Sequence, residues 1–385
     1  MRKRKICFVI TARPSYSRIQ TAMRAVRERD DVELQVVVAA SALLERYGSA
    51  IRVIEQDGYE IAAKVYNVVE GEDLRSMSKT TGLGIIEMSS VFDNIQPDVV
   101  VSVADRFETI ATAIAAAYMN IPLCHIQGGE VTGSIDEKVR HAITKLADLH
   151  LVATDAARER LIRMGEAPGQ VHVTGCPSID LAAEVLKNPS LDFDPFKRYG
   201  GVGSTVELSN GYLVVLQHPV TTEYRLARKH ILETLHAVHE IGLPTCWFWP
   251  NMDAGSDGTS NGIRFFREEF RPANIHFFKN MEPHDFLKLM YNAAAVIGNS
   301  SVAIREGSFL GVPAVNIGTR QNGRERGPNV VDIEYDRHAI GDIIRSFMKR
   351  GRPVCSNIYG DGHAGERIAV LLASMPLQIE KRLAY

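Results

Sequence analysis

The stretch Lys5-Ile-Cys-Phe-Val-Ile-Thr-Ala-Arg-Pro-Ser-Tyr-Ser-Arg18 sets a pattern that the rest of the chain repeats. Residues 5–10 form an apolar run that predicts a buried strand, a polar turn follows, and residues 16–28 are predicted as a helix. Strands that are apolar on both faces and are separated by helices are typical of parallel sheets covered by helices. The opening residues therefore predict an α/β fold.

The same alternation runs along both halves of the chain. In the first half we predict strands at 5–10, 32–39, 98–103, 122–126, 150–153 and 171–174, and helices at 16–28, 107–119, 136–146 and 155–164. In the second half we predict strands at 212–216, 244–248, 275–278, 295–297 and 314–317, and helices at 222–240, 261–270, 284–291, 301–310 and from 364 onward.

Between the two halves the alternation pauses in a segment rich in Pro and Gly, which predicts an interdomain linker at 188–210. The predicted fold class is α/β, with two Rossmann-like doubly wound domains at residues 1–187 and 211–365. Ligands of such sheets bind beyond the carboxyl ends of the strands. We therefore expect the ligand in an interdomain cleft.

The composition excludes several classes of protein. The 385 residues are 45% hydrophobic and 23% charged, which is typical of globular proteins and not of disordered or fibrous ones. The net charge of −2 gives no long-range attraction to nucleic acid or to an anionic membrane. No apolar run is long enough for a secretory or membrane-spanning segment, so we expect a soluble, cytoplasmic protein.

Signatures of cofactors and metals are missing from the sequence. The five cysteines lie far apart without a Cys-x-x-Cys pair, which argues against a zinc knuckle and a disulfide framework. No G-x-G-x-x-G follows the first strand, and no set of His, Cys and carboxylate residues has metal-ligand spacing. We expect neither a dinucleotide cofactor nor a metal.

In the first half, charged groups follow two of the predicted strands. Arg13 precedes a helix and would suit a phosphate or a carboxylate, although a solvent-exposed arginine is the structural alternative. Asp105 and Arg106 follow the strand at 98–103, where Asp105 either acts on a ligand or caps the next helix.

The segment 127–141 is the densest in charge. Glu130, Asp136 and Glu137 place three carboxylates close together, and Arg140 follows Asp136 one helical turn later. Proton transfer needs acids poised by neighbouring cations, which favours a catalytic role. The alternative is a helix start whose acids stabilise the helix dipole.

In the second half, His218, Ser300 and Ser301 each follow a predicted strand. The backbone N–H groups at the two serines would suit a diphosphate, and Glu306, on the same predicted helix, could accept hydrogen bonds from ribose hydroxyls. The alternatives are a histidine satisfied in the core and a Glu306 paired with Arg305 or Arg320. The segment 250–256 adds two polar candidates, Asn251 and Asp253.

A series of motifs between about residues 5 and 330 identifies a family. They are Thr11-x-Arg13, Ala104-Asp-Arg-Phe-Glu108, His125-x-x-Gly-Gly-Glu130, Asp136…Arg140-His-Ala-Ile-Thr-Lys145, Thr174-Gly-Cys-Pro177, Gln217-His-Pro-Val-Thr221, Pro250-Asn-x-Asp253, Gly298-Asn-Ser-Ser301, Glu306 and Gly318-Thr-Arg-Gln321. In these motifs the chain resembles the UDP-N-acetylglucosamine 2-epimerases, specifically their hydrolysing branch. The set is specific to the superfamily and less specific to the sugar.

The resemblance implies a glycosyltransferase-B-like fold, with a C-terminal helix (366–385) that packs back on the first domain. It implies a homo-oligomer, a dimer or a tetramer, that binds a UDP-sugar and needs neither NAD nor a metal. The implied reaction is anti elimination of UDP across C1–C2 to 2-acetamidoglucal. Water then adds to release N-acetylmannosamine.

The resemblance also implies roles for individual residues. Asp105 and Asp136 would be the acid/base pair, with Arg140 tuning Asp136, and the catalytic set also includes Glu130, Gln127 and His218. The residues implied to contact UDP are Arg13, Ser17, Arg106, His218, Asn251, Asp253, Ser300, Ser301, Glu306 and Arg320. Positive charge and N–H donors are what the expulsion of a diphosphate requires.

One residue departs from the family pattern. The position two after His125 is usually Glu in this family, whereas this chain has Gln127, whose neutral amide cannot act as a base. Either another carboxylate takes over or Gln127 recognises a different sugar substituent. The second alternative indicates a UDP- or GDP-linked 2,4-diacetamido-2,4,6-trideoxy hexose, as used in legionaminic acid synthesis.

Three other functions stay open at the level of sequence. They are a non-hydrolysing epimerase that interconverts UDP-GlcNAc and UDP-ManNAc, a glycosyltransferase of the same architecture, and a non-catalytic sensor of sugar nucleotides. An Asp105→Asn variant separates enzyme from sensor, because only an enzyme would lose turnover while it keeps its affinity for UDP.

Overall fold

The computed structural model describes residues 2–71, 73–103, 106–132, 135–250 and 255–385. The chain divides into a first unit (residues 1–131, 135–181 and 359–385) and a second unit (132–134 and 182–358), and each unit contains one seven-stranded sheet in its described part. The prediction of an α/β fold with two Rossmann-like domains is confirmed.

The first unit alternates strands and helices from its first residues. Its elements up to residue 187 are β1 (Arg4–Ile10), α1 (Arg13–Ser17), α2 (Gln20–Arg27), β2 (Val32–Ala39), α3 (Ala50–Gln56), β3 (Ile61–Val65), α4 (Leu74–Ile95), β4 (Val99–Val103), α5 (Thr109–Tyr118), β5 (Leu123–Ile126), α6 (Ile135–Leu146), β6 (Leu149–Val152), α7 (Asp155–Arg163), β7 (Val171–Val173) and α8 (Pro177–Lys187), which runs into the second unit. The strands are parallel and lie in the order β3-β2-β1-β4-β5-β6-β7.

The alternation of side chains along β1 builds a core on each face of this sheet. Ile6 and Phe8 belong to the core on one face, and Cys7 and Val9 belong to the core on the other. A strand with helices on both faces is buried along its whole length, and all five residues of β4 are buried, four valines and Ser102.

The second unit has the same arrangement. Its elements are α9 (Pro195–Tyr199), β8 (Val202–Gly203), β9 (Leu213–Leu216), α10 (Ala227–Ile241), β10 (Thr245–Phe248), α11 (Ser256–Phe270), β11 (Ile275–Phe278), α12 (Pro283–Asn292), β12 (Ala295–Gly298), α13 (Ser301–Ile304), α14 (Glu306–Leu310), β13 (Ala314–Ile317), β14 (Val330–Ile333) and α15 (Arg337–Lys349). The strand order is β14-β13-β12-β9-β10-β11-β8, parallel except for β8.

The chain returns to the first unit at Tyr359 and forms α16 (Ala364–Ser374) there. Its Ile368 and Leu372 belong to the core that contains α2. The carboxylate of Asp180 accepts hydrogen bonds from the backbone N–H groups of Ala364 and Gly365, at 2.9 and 2.7 Å, and so caps the helix.

The structure differs from the predicted linker at 188–210, which is built into the second unit. Within it, β8 pairs antiparallel with β11, and the ring of Phe196 stacks on that of Phe278 at 5.7 Å. The glycines serve close approach, because a Cβ on Gly201 would lie 2.5 Å from the carbonyl oxygen of Phe277. A Pro- and Gly-rich composition marks turns, but it does not tell a flexible linker from an edge strand.

Other elements also differ from the prediction. The predicted helix 16–28 is two helices, α1 and α2, because the backbone leaves helical geometry at Ile19. The predicted helix 301–310 is divided at Arg305 into α13 and α14, so Glu306 begins a helix of its own. Among the described residues, no helix is both long and apolar enough to cross a membrane.

Candidate functional site

Several of the predicted site residues in the described part of the chain follow the carboxyl ends of strands, in both units. In each sheet, the first parallel strand along the chain lies beside the fourth. These neighbours are β1 and β4 in the first unit, and β9 and β12 in the second. Connections leave in opposite directions at such a point, which opens a crevice above the strand ends. Arg13 follows β1 and Arg106 follows β4, while His218 follows β9 and Ser300 follows β12.

In the second unit, Asn299 joins three strand ends. Its side chain accepts a hydrogen bond from the backbone N–H of His218 at 2.8 Å and donates one to the carbonyl of the same residue at 2.9 Å. Its own carbonyl accepts from Gln321 Nε2 at 2.9 Å and from Arg320 Nη1 at 3.3 Å. The segments after β9, β12 and β13 are thereby held together by one fully buried amide.

This junction depends on the glycine before Asn299. Gly298 has φ +129°, and a Cβ there would stand 2.1 Å from the carbonyl oxygen of Leu216 at the end of β9. Only a residue without a side chain lets the two strand ends approach this closely.

Ser300, Ser301 and Glu306 lie close together in the chain but have different surroundings. Ser300 is the N-cap residue of α13, and the Oγ of the buried Ser301 accepts a hydrogen bond from Arg305 Nη2 at 2.9 Å. Glu306 is 5% exposed, and no residue in the described part of the chain hydrogen-bonds its Oε2. The pairing of Glu306 with Arg305 or Arg320, which was the structural alternative, is absent from the described residues.

Behind Arg320, two aromatic rings support the loop that carries it. A Cβ on Gly318 would lie 2.3 Å from the ring of Tyr335, and the ring of His230 stacks on Tyr335 at 3.7 Å. Burial raises the pKa of Tyr335 and lowers the pKa of His230. Both rings are therefore neutral at pH 7 and act as packing surfaces.

In the first unit, the segments after β1 and β4 meet at two hydroxyl groups. Thr11 Oγ1 lies 3.2 Å from Thr109 Oγ1, and Arg13 begins α1 immediately afterwards. Ser17, the last residue of α1, donates its hydroxyl to the carbonyl of Pro14 at 3.1 Å.

Arg106 forms a buried ion pair with Glu108. Its Nε lies 2.9 Å from Oε1 of Glu108, and the two side chains are 9% and 1% exposed. A buried carboxylate beside it fixes the guanidinium, so Arg106 is a rigid cation at the end of β4.

The segment after β5 contains several polar and charged side chains that are almost completely buried. Gln127 and Glu130 are 2% and 1% exposed, and Arg140 is fully buried. The guanidinium of Arg140 donates to the carbonyl of Glu130 at 2.8 Å and to Oε2 of Glu137 at 3.0 Å. Arg140 thus connects the loop that carries Glu130 to the first turn of α6, where Asp136 precedes Glu137.

Gln127 has an unusual backbone. Its φ is +67°, which a residue with a side chain adopts at a cost of ~1–2 kcal/mol. Its Nε2 donates to the Sγ of Cys176 at 2.9 Å. Strain of this kind persists where the surroundings fix it and is common at functional sites.

The sequence analysis missed three residues that organise these segments, namely Asn299, Glu108 and Cys176. All three lie inside the motifs quoted above, so their positions in the motifs were the only available signal. Asp105, Asn251 and Asp253 lie outside the described residues. Within the described residues, no three His, Cys, Asp or Glu side chains are grouped as metal ligands.

Comparison with known proteins agrees with the motifs. The family model for UDP-N-acetylglucosamine 2-epimerase matches residues 24–373. The chain belongs to the UDP-N-acetylglucosamine 2-epimerase family. The family resemblance drawn from the motifs is therefore confirmed, and the chain is a nucleotide-sugar 2-epimerase.

Relatives of this epimerase cover nearly its whole length. It is 32% identical over 375 residues to the UDP-N,N'-diacetylbacillosamine 2-epimerase (hydrolyzing) of Legionella pneumophila, covering 97% of each chain. It is 29% identical over 360 residues to a UDP-N-acetylglucosamine 2-epimerase of Neisseria meningitidis, covering 94% of this chain and 91% of the relative. A crystal structure of the UDP-GlcNAc 2-epimerase from Neisseria meningitidis, bound to UDP-GlcNAc, has the same fold, with a TM-score of 0.78 at 17% identity over 96% of this chain and 99% of that one.

Proposed function

We propose that this epimerase is a hydrolysing UDP-N-acetylglucosamine 2-epimerase. A base removes the proton from C2 while the C1–O bond breaks, and UDP leaves with the bonding electron pair, which produces 2-acetamidoglucal. Water then supplies hydroxide to C1 and a proton returns to the other face of C2, releasing N-acetylmannosamine. UDP-sugar binding is supported by relatives whose structures hold UDP-GlcNAc and UDP.

The observation that carries this proposal is the arrangement after β5. Fully buried Arg140 ties the loop of Glu130 to the helix start that carries Asp136. A glycosyltransferase or a sensor has no need for carboxylates in this number, whereas transfer of a proton at C2 requires a positioned base and an acid. We assign acid/base roles to Asp105 and Asp136, with Glu130 nearby in sequence and Arg140 favouring the ionised form of its neighbours.

We assign the nucleotide to the residues of the second unit, together with Arg13, Ser17 and Arg106 of the first. Ser300, Ser301 and His218 would hold the diphosphate with Arg320, and Asn251 and Asp253 would complete the set. The buried Glu306, whose Oε2 has no hydrogen-bond partner among the described residues, is suited to the two ribose hydroxyls. Charge that develops on the leaving diphosphate is stabilised where such donors are fixed beforehand.

The experiment is proton and phosphorus NMR of the purified protein with UDP-GlcNAc in D₂O. We expect free UDP and N-acetylmannosamine that carries deuterium at C2. Intact UDP-ManNAc would contradict the hydrolytic step and assign the protein to the non-hydrolysing reaction. An Asp105→Asn variant that keeps full activity would contradict the assignment of Asp105.

A second candidate substrate is a UDP-linked 2,4-diacetamido-2,4,6-trideoxy hexose. It is favoured by the neutral Gln127 where the family usually has Glu, and by the similarity to the Legionella enzyme. The two candidates are separated by competition, in which both UDP-sugars are supplied at equal concentration and the released sugars are counted. The preferred substrate is the one with the larger kcat/KM, even if the other substrate binds more tightly.

A further inference from the structure

An open pocket of about 320 Å³ lies in the second unit, between the C-terminal half of α11 and the sheet edge formed by β8. Its lining includes Arg271, the C-cap residue of α11, and Ile275, the first residue of β11. The pocket is therefore at the amino end of β11. The residues of the second unit that we assign to UDP follow the carboxyl ends of the parallel strands, so the pocket is a separate place in this unit.

Three arginines on consecutive turns of α11 line this pocket, namely Arg264, Arg267 and Arg271. Glu268 is the one carboxylate in the described lining, and it lies within four residues of each arginine. Even so, none of the three guanidinium groups forms an ion pair with a carboxylate of the described residues; Arg264 has only a long hydrogen bond of 3.4 Å to Asn261. The pocket therefore has two positive charges in excess.

Arg267 is oriented by an aromatic ring. Its guanidinium carbon lies 5.4 Å from the centroid of the Phe277 ring, and Phe277 is buried on β11. A guanidinium that is already stacked on a ring has little freedom left to lose when it binds an anion. Phe277 also forms, with Ile275 and Pro272, an apolar wall of the pocket.

Arg271 occupies a position that usually belongs to glycine. Its φ is +44°, in the left-handed region where helices commonly end with Gly, and a residue with a side chain adopts this region only at a cost in backbone energy. Such strain is common where a site needs the side chain. The third positive charge is thus kept in the pocket against the conformational preference of the backbone.

The wall opposite α11 is fixed by close packing. A Cβ on Gly203 would lie 2.6 Å from the carbonyl oxygen of Ile275, so β8 runs tightly against β11. The carbonyl oxygen of Ser204 lies 3.0 Å from Nδ1 of His276, which holds the next residue of the wall. The pocket is therefore formed before any ligand enters it.

We propose that this pocket binds a small phosphate ester, separately from UDP. A phosphomonoester has a charge of about −1.5 to −2 near pH 7, which matches the positive charge in excess. Arginine can hold a phosphate through two parallel hydrogen bonds, the hydroxyl of Ser204 is a further donor, and the apolar wall receives the organic part of the ester. The volume is near the lower end of the range for small-molecule pockets, roughly 300–1,000 Å³, which suits a sugar phosphate or a nucleoside monophosphate.

The test is calorimetric titration of the full chain, saturated with UDP, with 5′-AMP, glucose 6-phosphate and inorganic phosphate as probes. We expect one site per chain for the two esters and weaker binding of inorganic phosphate, which has no organic part to pack on the wall. Succinate, a dicarboxylate, should bind more weakly than either ester. Should UDP itself not bind, the proposed function fails and the probes are titrated without it, so the two failures are distinguishable.

Arg267→Ala should raise the dissociation constant of the esters about 10-fold, and Arg267→Lys should restore little, because a lysine keeps the charge but not the planar fork. Arg228→Ala is the matched control: its guanidinium lies 5.0 Å from the Phe265 ring of the same helix, but Arg228 does not line the pocket. It should leave the dissociation constant within about 2-fold, since a diffuse attraction to charge around α11 is not what holds the ester. All three variants should bind UDP like the wild type. If Arg267→Ala does not fold, the exposed Arg264 is replaced by alanine instead, with an expected loss of about 5-fold.

Four results would overturn the inference. They are no saturable binding of either ester, wild-type affinity in Arg267→Ala, an equal loss in Arg228→Ala, and tighter binding of succinate than of both esters. The third would mean that the arginines attract anions without forming a site, and the fourth would assign the pocket to carboxylates.

Discussion

The two units arrange their strand ends by different means. In the second unit a neutral amide, Asn299, makes the connections, with hydrogen bonds to the main chain of His218 and from Gln321. In the first unit buried charges take part as well: Arg140 joins two segments, and Arg106 pairs with Glu108, beside the neutral contact between Thr11 and Thr109. An amide offers a donor and an acceptor without adding charge, whereas buried charges create a strong local field.

This difference suggests a division of labour. A frame of neutral groups can receive an anion without competing with it, which suits the binding of a diphosphate. A field of fixed charges shifts the balance between protonated and ionised carboxyls, which suits proton transfer. Substitutions in the frame of Asn299 should therefore act on affinity for UDP, and substitutions of the carboxylates in the segment after β5 should act on kcat.

The largest effect should come from Asp136→Asn, in the first turn of α6. The amide cannot exchange a proton, so we expect kcat to fall by about 10³-fold, within the range for loss of a general acid or base. The dissociation constant of UDP, measured by calorimetry, should stay within about 2-fold. The matched control is Asp155→Asn, which removes a carboxylate from the first turn of α7 and should leave kcat unchanged. A parallel loss of UDP affinity in Asp136→Asn would contradict the division between the units.

The opposite pattern is expected for Asn299→Ala. It leaves the N–H and the carbonyl of His218 without their present partners, so the end of β9 loosens. We expect the dissociation constant of UDP to rise about 30-fold, or about 2 kcal/mol, with a small change in kcat at saturating substrate.

Asn299→Asp is the comparison for that variant, because it keeps the acceptor for His218 N–H and loses the donor to His218 C=O. It also places a negative charge in the frame that receives the diphosphate, so its affinity for UDP should be no higher than that of the alanine variant. If kcat decreases and UDP affinity does not, Asn299 serves catalysis and the proposed contrast fails.

The sequence predicted most of the fold because parallel strands buried on both faces are conspicuous. Strands such as β2 and β11 have the predicted bounds. Residues 40–97 gave no prediction, although they contain α3, β3 and α4. In α4, two glycines and many Ser and Thr residues weaken the helical pattern, and the reciprocal capping of Asp73 and Ser76 that begins it becomes visible only in the structure.

The positions of the site residues could be predicted, but their partners could not. The rule that ligands bind after parallel strands led to Arg106, Gln127 and His218. The partner of Gln127 is Cys176, 49 residues later in the chain, and the partner of His218 is Asn299, 81 residues later. Such pairs depend on which strands become neighbours, and local patterns in a sequence do not contain that information.

One buried carboxyl of the first unit, Glu166, predicts a response to acid. Burial alone would raise the pKa of Glu166, but hydrogen bonds from His150, Lys145 and Lys381 lower it to about 2. A carboxyl whose pKa is lowered on folding stabilises the fold above its ordinary pKa of 4.5, and this contribution is lost as the pH falls toward 2. We expect Glu166→Gln to reduce the loss of unfolding free energy on acidification by about 1.5 kcal/mol, a figure that allows for solvent screening.

The measurement is urea unfolding at pH 6, 4 and 3, followed by far-ultraviolet circular dichroism. Both tryptophans, Trp247 and Trp249, lie in the second unit, so their fluorescence is an internal control. The fluorescence transition should have the same pH dependence in wild type and variant. Equal pH dependence of the circular dichroism transition in the two proteins would contradict the role of Glu166.

The smallest effect is expected for Glu306, a buried carboxylate of the second unit. A carboxylate can accept hydrogen bonds from both ribose hydroxyls, one at each oxygen, and the Gln of Glu306→Gln offers only one acceptor oxygen. The substitution also removes a negative charge near a diphosphate, which favours every UDP analogue alike. The informative quantity is therefore the ratio of affinities for UDP and 2′-deoxy-UDP. We expect a ratio of about 10 in the wild type, or about 1.4 kcal/mol, and a ratio near 1 in the variant. A ratio of 10 in both proteins would assign the ribose to another group and would leave Glu306 as a buried charge whose role is structural.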